Sequence, residues 1–142
     1  MKLRNPKELG TILRNRRKAQ GFDQSDFGSY ISVSDRTVRN IENGATGTKT
    51  QTVLQASKEL GVTLFLKEAN QKQAVNVRTL KQIGQSIRSV RKYQKISQDD
   101  LAAIVGMQHS VLGKIEKGDD SVAIGKVMAV LQELGLQLST KD

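Results

Sequence analysis

The chain is built around the stretch Gln24-Ser25-Asp26-Phe27-Gly28-Ser29-Tyr30-Ile31-Ser32-Val33-Ser34-Asp35-Arg36-Thr37-Val38-Arg39-Asn40-Ile41-Glu42-Asn43-Gly44. Inward-facing apolar residues recur here at spacings that let two short helices cross and share one small core. These residues are Phe27, Ile31, Val33, Val38 and Ile41. The stretch therefore predicts two short helices joined by a tight turn, the second ending at a glycine.

The second of these helices leaves polar and charged side chains on its outer face, at Asp35, Arg36, Arg39 and Asn40. Arg and Asn side chains on an exposed helix are suited to hydrogen bonding with base edges in a DNA major groove. The stretch therefore predicts a helix-turn-helix. A second copy of the same pattern runs from Gln98 to Gly118.

The two copies belong to a longer internal repeat. A shift of 74 residues aligns the segment 4–67 with the segment 78–141 without a gap. The aligned segments share identical residues, which include the pairs Gly10/Gly84, Arg14/Arg88, Arg17/Arg91, Lys18/Lys92, Gln24/Gln98, Glu42/Glu116 and Gly44/Gly118. Two copies are too few for a solenoid, so we expect each copy to fold around its own core.

The charge of the chain favours a polyanionic partner. The 142 residues carry 23 Lys and Arg against 14 Asp and Glu, a formal net charge of +9. Both halves contribute, since residues 1–71 hold 12 basic and 7 acidic side chains and residues 72–142 hold 11 and 7. Nucleic acid is the favoured partner for such a basic surface, ahead of a membrane.

Composition argues against an enzyme. The chain has no Cys, so it can form neither a disulfide nor a thiolate metal site. His109 is its single His, which leaves no His cluster for a metal or a catalytic relay. We expect no cofactor and no metal. The first six residues lack the apolar run of a signal peptide, and no stretch approaches the ~18 apolar residues of a membrane span. These features predict a soluble, cytoplasmic protein without a membrane partner.

Helix starts are predicted where side chains can form N-terminal caps. The capping pairs are Asn5 with Glu8, Asp23 with Asp26, Thr48 with Gln51, Thr79 with Gln82, and Ser97 with Asp100. Two segments alternate with period two instead, Val62–Leu66 and Leu136–Ser139, and are predicted as short strands. Because a lone strand lacks backbone partners, we expect the two to pair antiparallel within the chain, about a pseudo-two-fold axis.

These predictions give a mainly α fold of two tandem helical domains, each ending in a short strand, with the strands paired in a small antiparallel sheet. We assign residues 1–67 to the first domain and 78–142 to the second. The polar, glycine-free segment 68–77 between them is expected to be a linker.

The repeat resembles the Xre, or lambda/434-repressor-like, helix-turn-helix family over nearly its whole length. The family pattern is met by Gln98-Asp99-Asp100-Leu101-Ala102, by Val105-Gly106-Met107 and by Ile115-Glu116-Lys117-Gly118. The first copy departs from it at Phe27-Gly28 and has Ser32 where the turn glycine is expected. The terminal strand resembles that of the HipB-type antitoxins, which pair such strands across a dimer. The resemblance implies two lambda-repressor-like domains and a prokaryotic, phage or mobile-element origin.

The resemblance also implies roles for individual residues on double-stranded DNA. Gln24 and Gln98 would contact phosphates through the side chain and the helix N-terminus. Base contacts would come from exposed residues of the second motif helix, with Arg39 able to reach either bases or backbone. The residues of this set are Ser34, Asp35, Arg36, Arg39 and Asn40 in the first copy and Gln108, His109, Ser110 and Lys114 in the second. Asn43, Lys49 and Lys117 would contact phosphates.

Other roles compete at some of these positions. Arg17 with Glu42, and Arg91 with Glu116, match a family pair that forms a mostly buried ion pair. Lys18 and Lys92 are either solvated or in contact with DNA. Asp35 is either a cytosine contact or a charge that favours the helix N-terminus. His109 could contact DNA, be buried, or sense pH. Gly113 occupies the position of Arg39 and removes a side chain from the outer face.

Three functions fit the sequence. The first is a sequence-specific DNA-binding transcriptional regulator, most simply a repressor, in which one chain imitates a dimer. Because the two second helices carry different residues, its operator would have two non-identical half-sites. The second is a HipB-like antitoxin that binds its operator and a partner toxin. The third is an interaction module that has lost DNA contact, which the basic charge disfavours. A homodimer of the whole chain is compatible with each.

Overall fold

The structure is a computed structural model, and it describes residues 1–69 and 71–141. Asn70, in the segment predicted as a linker, and Asp142, at the end of the predicted second domain, lie outside the described residues. The first repeat contains helices α1–α4, and the second contains helices α5–α8. The helices are α1 Pro6–Ala19, α2 Gln24–Tyr30, α3 Asp35–Glu42, α4 Thr50–Glu59, α5 Leu80–Tyr93, α6 Gln98–Val105, α7 His109–Lys117 and α8 Ile124–Glu133. The strands are β1 Lys2–Leu3, β2 Leu64–Glu68, β3 Val75–Val77 and β4 Leu136–Thr140.

Four of the five predicted capping pairs start a helix. The side chains of Asn5, Asp23, Thr79 and Ser97 each accept a hydrogen bond from the backbone N–H three residues later. At Thr79 the reciprocal bond from the cap backbone to Gln82 is also present. These bonds satisfy donors that a helix start leaves without an intrahelical partner. The predicted mainly helical fold is confirmed.

The prediction of a cap at Thr48 was wrong. The residue before α4 is Lys49, which makes no side-chain capping bond. Thr48 and Thr50 are instead bound to the second repeat: the Ile124 N–H donates to the Thr48 carbonyl at 2.8 Å, and the Thr50 N–H donates to the Val122 carbonyl at 2.9 Å. The chain is therefore extended before α4 because it bridges the two repeats, a long-range contact that local capping patterns do not reveal.

Each repeat packs its helices around apolar residues of the predicted stripes. Leu9, Leu13, Phe27 and Val38 are at most 3% exposed in the first repeat, and their counterparts are also buried in the second. Helix α1 approaches α3 closely at Gly10, where a Cβ atom would overlap the carbonyls of Ile41 and Glu42. The equivalent Gly84 meets the same carbonyls of α7. Glycine at this position therefore allows the first and third helices of each repeat to touch.

A four-stranded antiparallel sheet of order β1-β4-β2-β3 joins the repeats. The predicted antiparallel pairing within one chain is confirmed, and Phe65 pairs with Ser139. These two residues are equivalent under the 74-residue repeat. An isolated antiparallel bridge joins a second equivalent pair, Lys49 and Ala123. Both contacts pair a residue with its own repeat counterpart, which is the arrangement of a two-fold axis between the repeats.

Strand limits and edge strands differ from the prediction. Strand β2 begins at Leu64 rather than Val62, because the Val62 N–H donates to the Ser57 carbonyl and closes the end of α4. It extends to Glu68, and β3 lies within the segment expected to be a linker. Strand β1 was not predicted either.

Within the described residues, no helix is long and apolar enough to cross a membrane.

Candidate nucleic-acid interface

Helix α3 presents an open polar face in the first repeat. Its cap residue Ser34 accepts a hydrogen bond from the Thr37 N–H at 3.1 Å, so the hydroxyl first serves the helix start. Arg36 and Asn40 are exposed. Asp35 and Arg39 lie one turn apart and approach to 3.4 Å, with more than half of each side chain exposed. This exposed pair is weak and leaves both groups accessible to a ligand.

Helix α7 presents a different set of side chains in the second repeat. Gln108 precedes it without a side-chain capping bond, so its carboxamide is not used by the helix start. His109 Nδ1 lies 2.5 Å from Asp99 Oδ1 of α6, and both side chains are mostly exposed. Ser110 and Lys114 are exposed. The structure thus places an acidic partner beside His109, a contact that the sequence did not predict.

The four residues assigned to ion pairs meet in two equivalent buried pairs. Arg17 Nε donates to Glu42 Oε2 at 2.6 Å, and Arg91 Nε donates to Glu116 Oε2 at the same distance. A second bond from each guanidinium to Oε1, at 3.0 Å, makes both pairs bidentate. The third guanidinium nitrogen donates to the carbonyl of Phe22 in one repeat and of Ile96 in the other. These bonds join the first helix to the third and to the loop before α2 or α6.

The electrostatics of these pairs follow from their hydrogen bonds. The bond to Glu42 raises the pKa of Arg17, and the bond to Glu116 raises the pKa of Arg91. Burial alone would raise the pKa of the Glu116 carboxyl, but hydrogen bonds from Arg91 and Gln98 outweigh it and lower that pKa. The charge of Arg88 acts in the same direction. Glu116 is therefore held ionised in the fold.

The two glutamines that begin α2 and α6 are anchored to these pairs. Gln24 Nε2 donates to Glu42 Oε1 at 3.1 Å, and Gln98 Nε2 donates to Glu116 Oε1 at 2.9 Å. One N–H of each carboxamide is thereby used within the protein, and the side chain is held at the helix start. The predicted phosphate contact would have to use the remaining N–H and the helix N-terminus.

The remaining predicted residues lie at or near the ends of α3 and α7. Asn43 directly follows α3, Lys117 is the last residue of α7, and both are exposed. Lys49 is exposed and lies at the bridge between the repeats. Gly113 leaves open space, since a Cβ atom there would meet nothing within 4 Å. The structure therefore brings most of the predicted set to the exposed side of the two third helices.

Sequence reasoning missed one basic residue of this surface. Exposed Arg14 of α1 lines a concavity together with Gln24, Arg39 and Asn43. The signal was present in the repeat alignment, where Arg14 and Arg88 are identical. The sequence could not show that α1 contributes a cation beside α3, because that depends on how the two helices cross.

The two motifs differ in net charge as well as in the exposed side chains of α3 and α7. Residues 24–49 carry three basic and three acidic side chains, whereas residues 98–123 carry two basic and five acidic ones. The additional acids of the second motif include Asp99 beside His109, and Asp119 and Asp120 after α7. Asp119 accepts bonds from the N–H and hydroxyl of Ser121, which lower its pKa and keep it charged. A phosphate backbone would be attracted less to the second motif than to the first.

The fold thus contains two equivalent helical units, and in each unit a buried ion pair holds an exposed third helix. This arrangement defines a tandem helix-turn-helix protein. The chain belongs to the helix-turn-helix family (HTH_3), which matches it twice, at residues 13–66 and 87–140. The two matches lie at the same 74-residue offset as the internal repeat. The predicted membership and tandem duplication are confirmed, while the HipB-type subgroup is not distinguished by these matches.

One relative is described as an uncharacterized HTH-type transcriptional regulator, y4mF, from Sinorhizobium fredii. It is 38% identical over 65 residues, which are 46% of this chain and 86% of the relative. The relative is therefore close to the length of one repeat. No solved structure matches the chain significantly. The family and this relative support a DNA-binding transcriptional regulator.

Proposed function

We propose that the chain is a sequence-specific transcriptional regulator, most simply a repressor, that binds one operator as a single-chain pseudo-dimer. The observation that carries the proposal is the pairing of repeat-equivalent residues, Phe65 with Ser139 and Lys49 with Ala123. A two-fold axis between helix-turn-helix units is the symmetry that matches a palindrome-like DNA site. A protein with a single repeat would need two chains for this symmetry.

The proposed contacts divide into bases and phosphates. Helix α3 would enter a major groove and use Arg36 and Asn40 on base edges, since Arg pairs with guanine and Asn with adenine. Arg14, Gln24 and Asn43 would hold the neighbouring phosphates and so fix the position of the helix. The buried ion pairs would keep α1, α2 and α3 in one arrangement without contacting DNA.

The second motif would contact DNA with less base discrimination. Helix α7 offers Ser110, Gly113 and Lys114 where α3 offers Arg36, Arg39 and Asn40. Loss of two guanidinium groups removes the side chains best suited to bidentate base contacts. The two half-sites of the operator would therefore differ in sequence and in contribution to affinity.

Selection of bound sites from random double-stranded DNA with the purified chain tests this proposal. We expect an enriched site with two unlike halves and stronger base preference in one half. A fully palindromic site would contradict the single-chain mode, because it would indicate two chains that each use one motif. No enrichment would contradict DNA recognition itself and favour the interaction-module hypothesis.

A matched variant makes the selection sharper. The substitutions His109→Asp, Ser110→Arg, Gly113→Arg and Lys114→Asn transfer the outer face of α3 to α7. If α7 enters the second half-site, the selected site should become an inverted repeat of the first half-site. An unchanged selected site would show that α7 does not contact bases.

The antitoxin function stays a second hypothesis. It was suggested by the terminal strand, and in this chain that strand, β4, pairs with β2 of the same chain and with β1. The hypothesis predicts a stable complex with the product of an adjacent gene when the two are co-expressed. Elution of the two proteins as separate species would contradict it.

A further inference from the structure

Two clefts lie at equivalent places in the repeats and differ fivefold in volume. The larger, about 520 Å³, lies between α4, β2 and β3. The smaller, about 100 Å³, lies between α8, β4 and the segment that contains β1. All eight residues that line the smaller cleft have their 74-residue counterparts in the lining of the larger one. The two clefts are therefore the same feature of the fold, filled in one repeat and open in the other.

One buried side chain in the lining differs in size between the two clefts. Leu131 of α8 is 3% exposed and lines the smaller cleft, whereas the equivalent residue of α4 is Ser57, 2% exposed. The Ser57 hydroxyl donates to the Val53 carbonyl at 2.8 Å, so it is satisfied within its own helix. Space left beside a small buried residue normally costs stability, because the surrounding atoms lose contacts. The first repeat nevertheless keeps this space.

The walls of the larger cleft combine apolar surface with positive charge. Leu54, Val62 and Val77 are buried and form the apolar part. Lys58 and Arg78 line the cleft as well, and neither has an ion-pair partner among the described residues. No acidic residue occurs among the described residues of the lining. In the smaller cleft Gln132 replaces Lys58, so the second cation is specific to the larger one.

We propose that the cleft between α4, β2 and β3 binds a small organic carboxylate with an apolar body. The carboxylate would lie between Lys58 and Arg78, and the apolar body against Leu54 and Val62. The volume of the cleft lies within the range of about 300–1,000 Å³ typical of small-molecule sites. This site goes beyond the proposed DNA contacts, because none of its residues belongs to them.

The position of the cleft couples such a ligand to both repeats. Lys58 and Leu54 belong to α4 of the first repeat, whereas Arg78 directly precedes the cap of α5 in the second. A molecule held by both would favour one relative placement of the repeats. If the repeats are placed differently in the free and the DNA-bound protein, the ligand would change the affinity for the operator. The operator would then change the affinity for the ligand by the same factor.

The test titrates benzoate into the ¹⁵N-labelled chain without DNA and follows the amide signals. We expect saturable shifts confined to residues around Thr63, Asn76 and Arg78. Benzyl alcohol, which has the same ring with an uncharged hydroxymethyl group in place of the carboxylate, should bind at least tenfold more weakly. The absence of saturable shifts at these residues would overturn the proposal. The titration does not depend on the DNA hypothesis, so either can fail alone.

Two variants that copy the second repeat locate the site. Ser57→Leu introduces the residue found at position 131, and Lys58→Gln introduces the residue found at position 132. Each substitution should weaken binding of benzoate at least tenfold. Lys58 is exposed, so Lys58→Gln keeps the test valid if the buried substitution impairs folding. Gln132→Lys, in the smaller cleft, is the control and should leave the affinity unchanged. Equal affinity in all variants would contradict the assignment of the cleft.

Discussion

The two repeats share their internal bonds and differ on their outer surface. The bidentate pairs Arg17–Glu42 and Arg91–Glu116 have the same distances, and each has a glutamine bonded to its glutamate. On the outer face, the equivalent positions of Arg36 and Arg39 hold Ser110 and Gly113. The fold therefore constrains the buried contacts in both copies, while the exposed helix is free to differ.

The largest expected effect removes a shared feature. Glu42→Ala and Glu116→Ala should each lower the free energy of unfolding by about 3 kcal/mol or more, because each leaves a buried guanidinium without its partner. Chemical denaturation of each variant measures the change. Glu8→Ala is a control, since Glu8 is only half-buried and should cost far less. A midpoint equal to that of the parent protein would show that the pair contributes little to the fold.

The next effect tests the difference between the outer faces. Arg36→Ala should weaken binding to the selected operator by about 1–3 kcal/mol and relax preference at one or two base pairs, as for loss of a bidentate contact. Ser110→Ala, at the equivalent position of α7, is the matched control and should weaken binding less. Fluorescence anisotropy with operator variants measures both. Equal losses for the two substitutions would contradict the unequal roles of the motifs.

A backbone difference between the turns gives a smaller effect. Ser32 has a φ of 63°, in the left-handed region, where the second repeat has Gly106 with a φ of 74°. A side chain in that region costs on the order of 1 kcal/mol, which glycine avoids. Ser32→Gly should therefore stabilise the chain by about 1 kcal/mol in thermal melts. A loss of stability would indicate that the exposed Ser32 side chain makes a compensating interaction.

The smallest effect concerns the glycine inside α7. Gly113→Ala should stabilise the chain by roughly 0.5–1 kcal/mol, because alanine favours a helix interior and its Cβ would meet no neighbouring atom. Gly84→Ala is the contrasting variant, since its Cβ would overlap the carbonyls of Ile115 and Glu116. We expect Gly113→Ala to raise the free energy of unfolding and Gly84→Ala to lower it, and equal signs would contradict this explanation.

Much of this fold could be predicted from the sequence, because the sequence patterns that determine it are local or occur in both repeats. Caps at Asn5 and Thr79 depend on residues three positions apart, and the pairing of β2 with β4 followed from two strands without local partners. Sequence reasoning failed where a contact with the other repeat decides the backbone. Thr48 bonds to Ile124 rather than capping α4, and β1 and β3 are too short to be recognised without the sheet that they join.

The candidate site was predicted in the same uneven way. The exposed residues of α3 could be named from helix periodicity and their counterparts in α7 from the repeat alignment, whereas their roles on DNA came from the family resemblance. Arg14 was missed because its place beside Gln24 and Arg39 depends on the crossing of α1 over α3. The acidic partner of His109 was missed because Asp99 lies on another helix. Contacts between elements are the part that a single sequence does not contain.

The central claim is that one chain, rather than two, occupies an operator. Native mass spectrometry of the purified chain with the selected duplex measures this directly, across a range of protein concentrations. We expect one chain per duplex at every concentration up to saturation, with both motifs protected from hydrogen exchange. A complex of two chains per duplex, with only one motif of each chain protected, would contradict it.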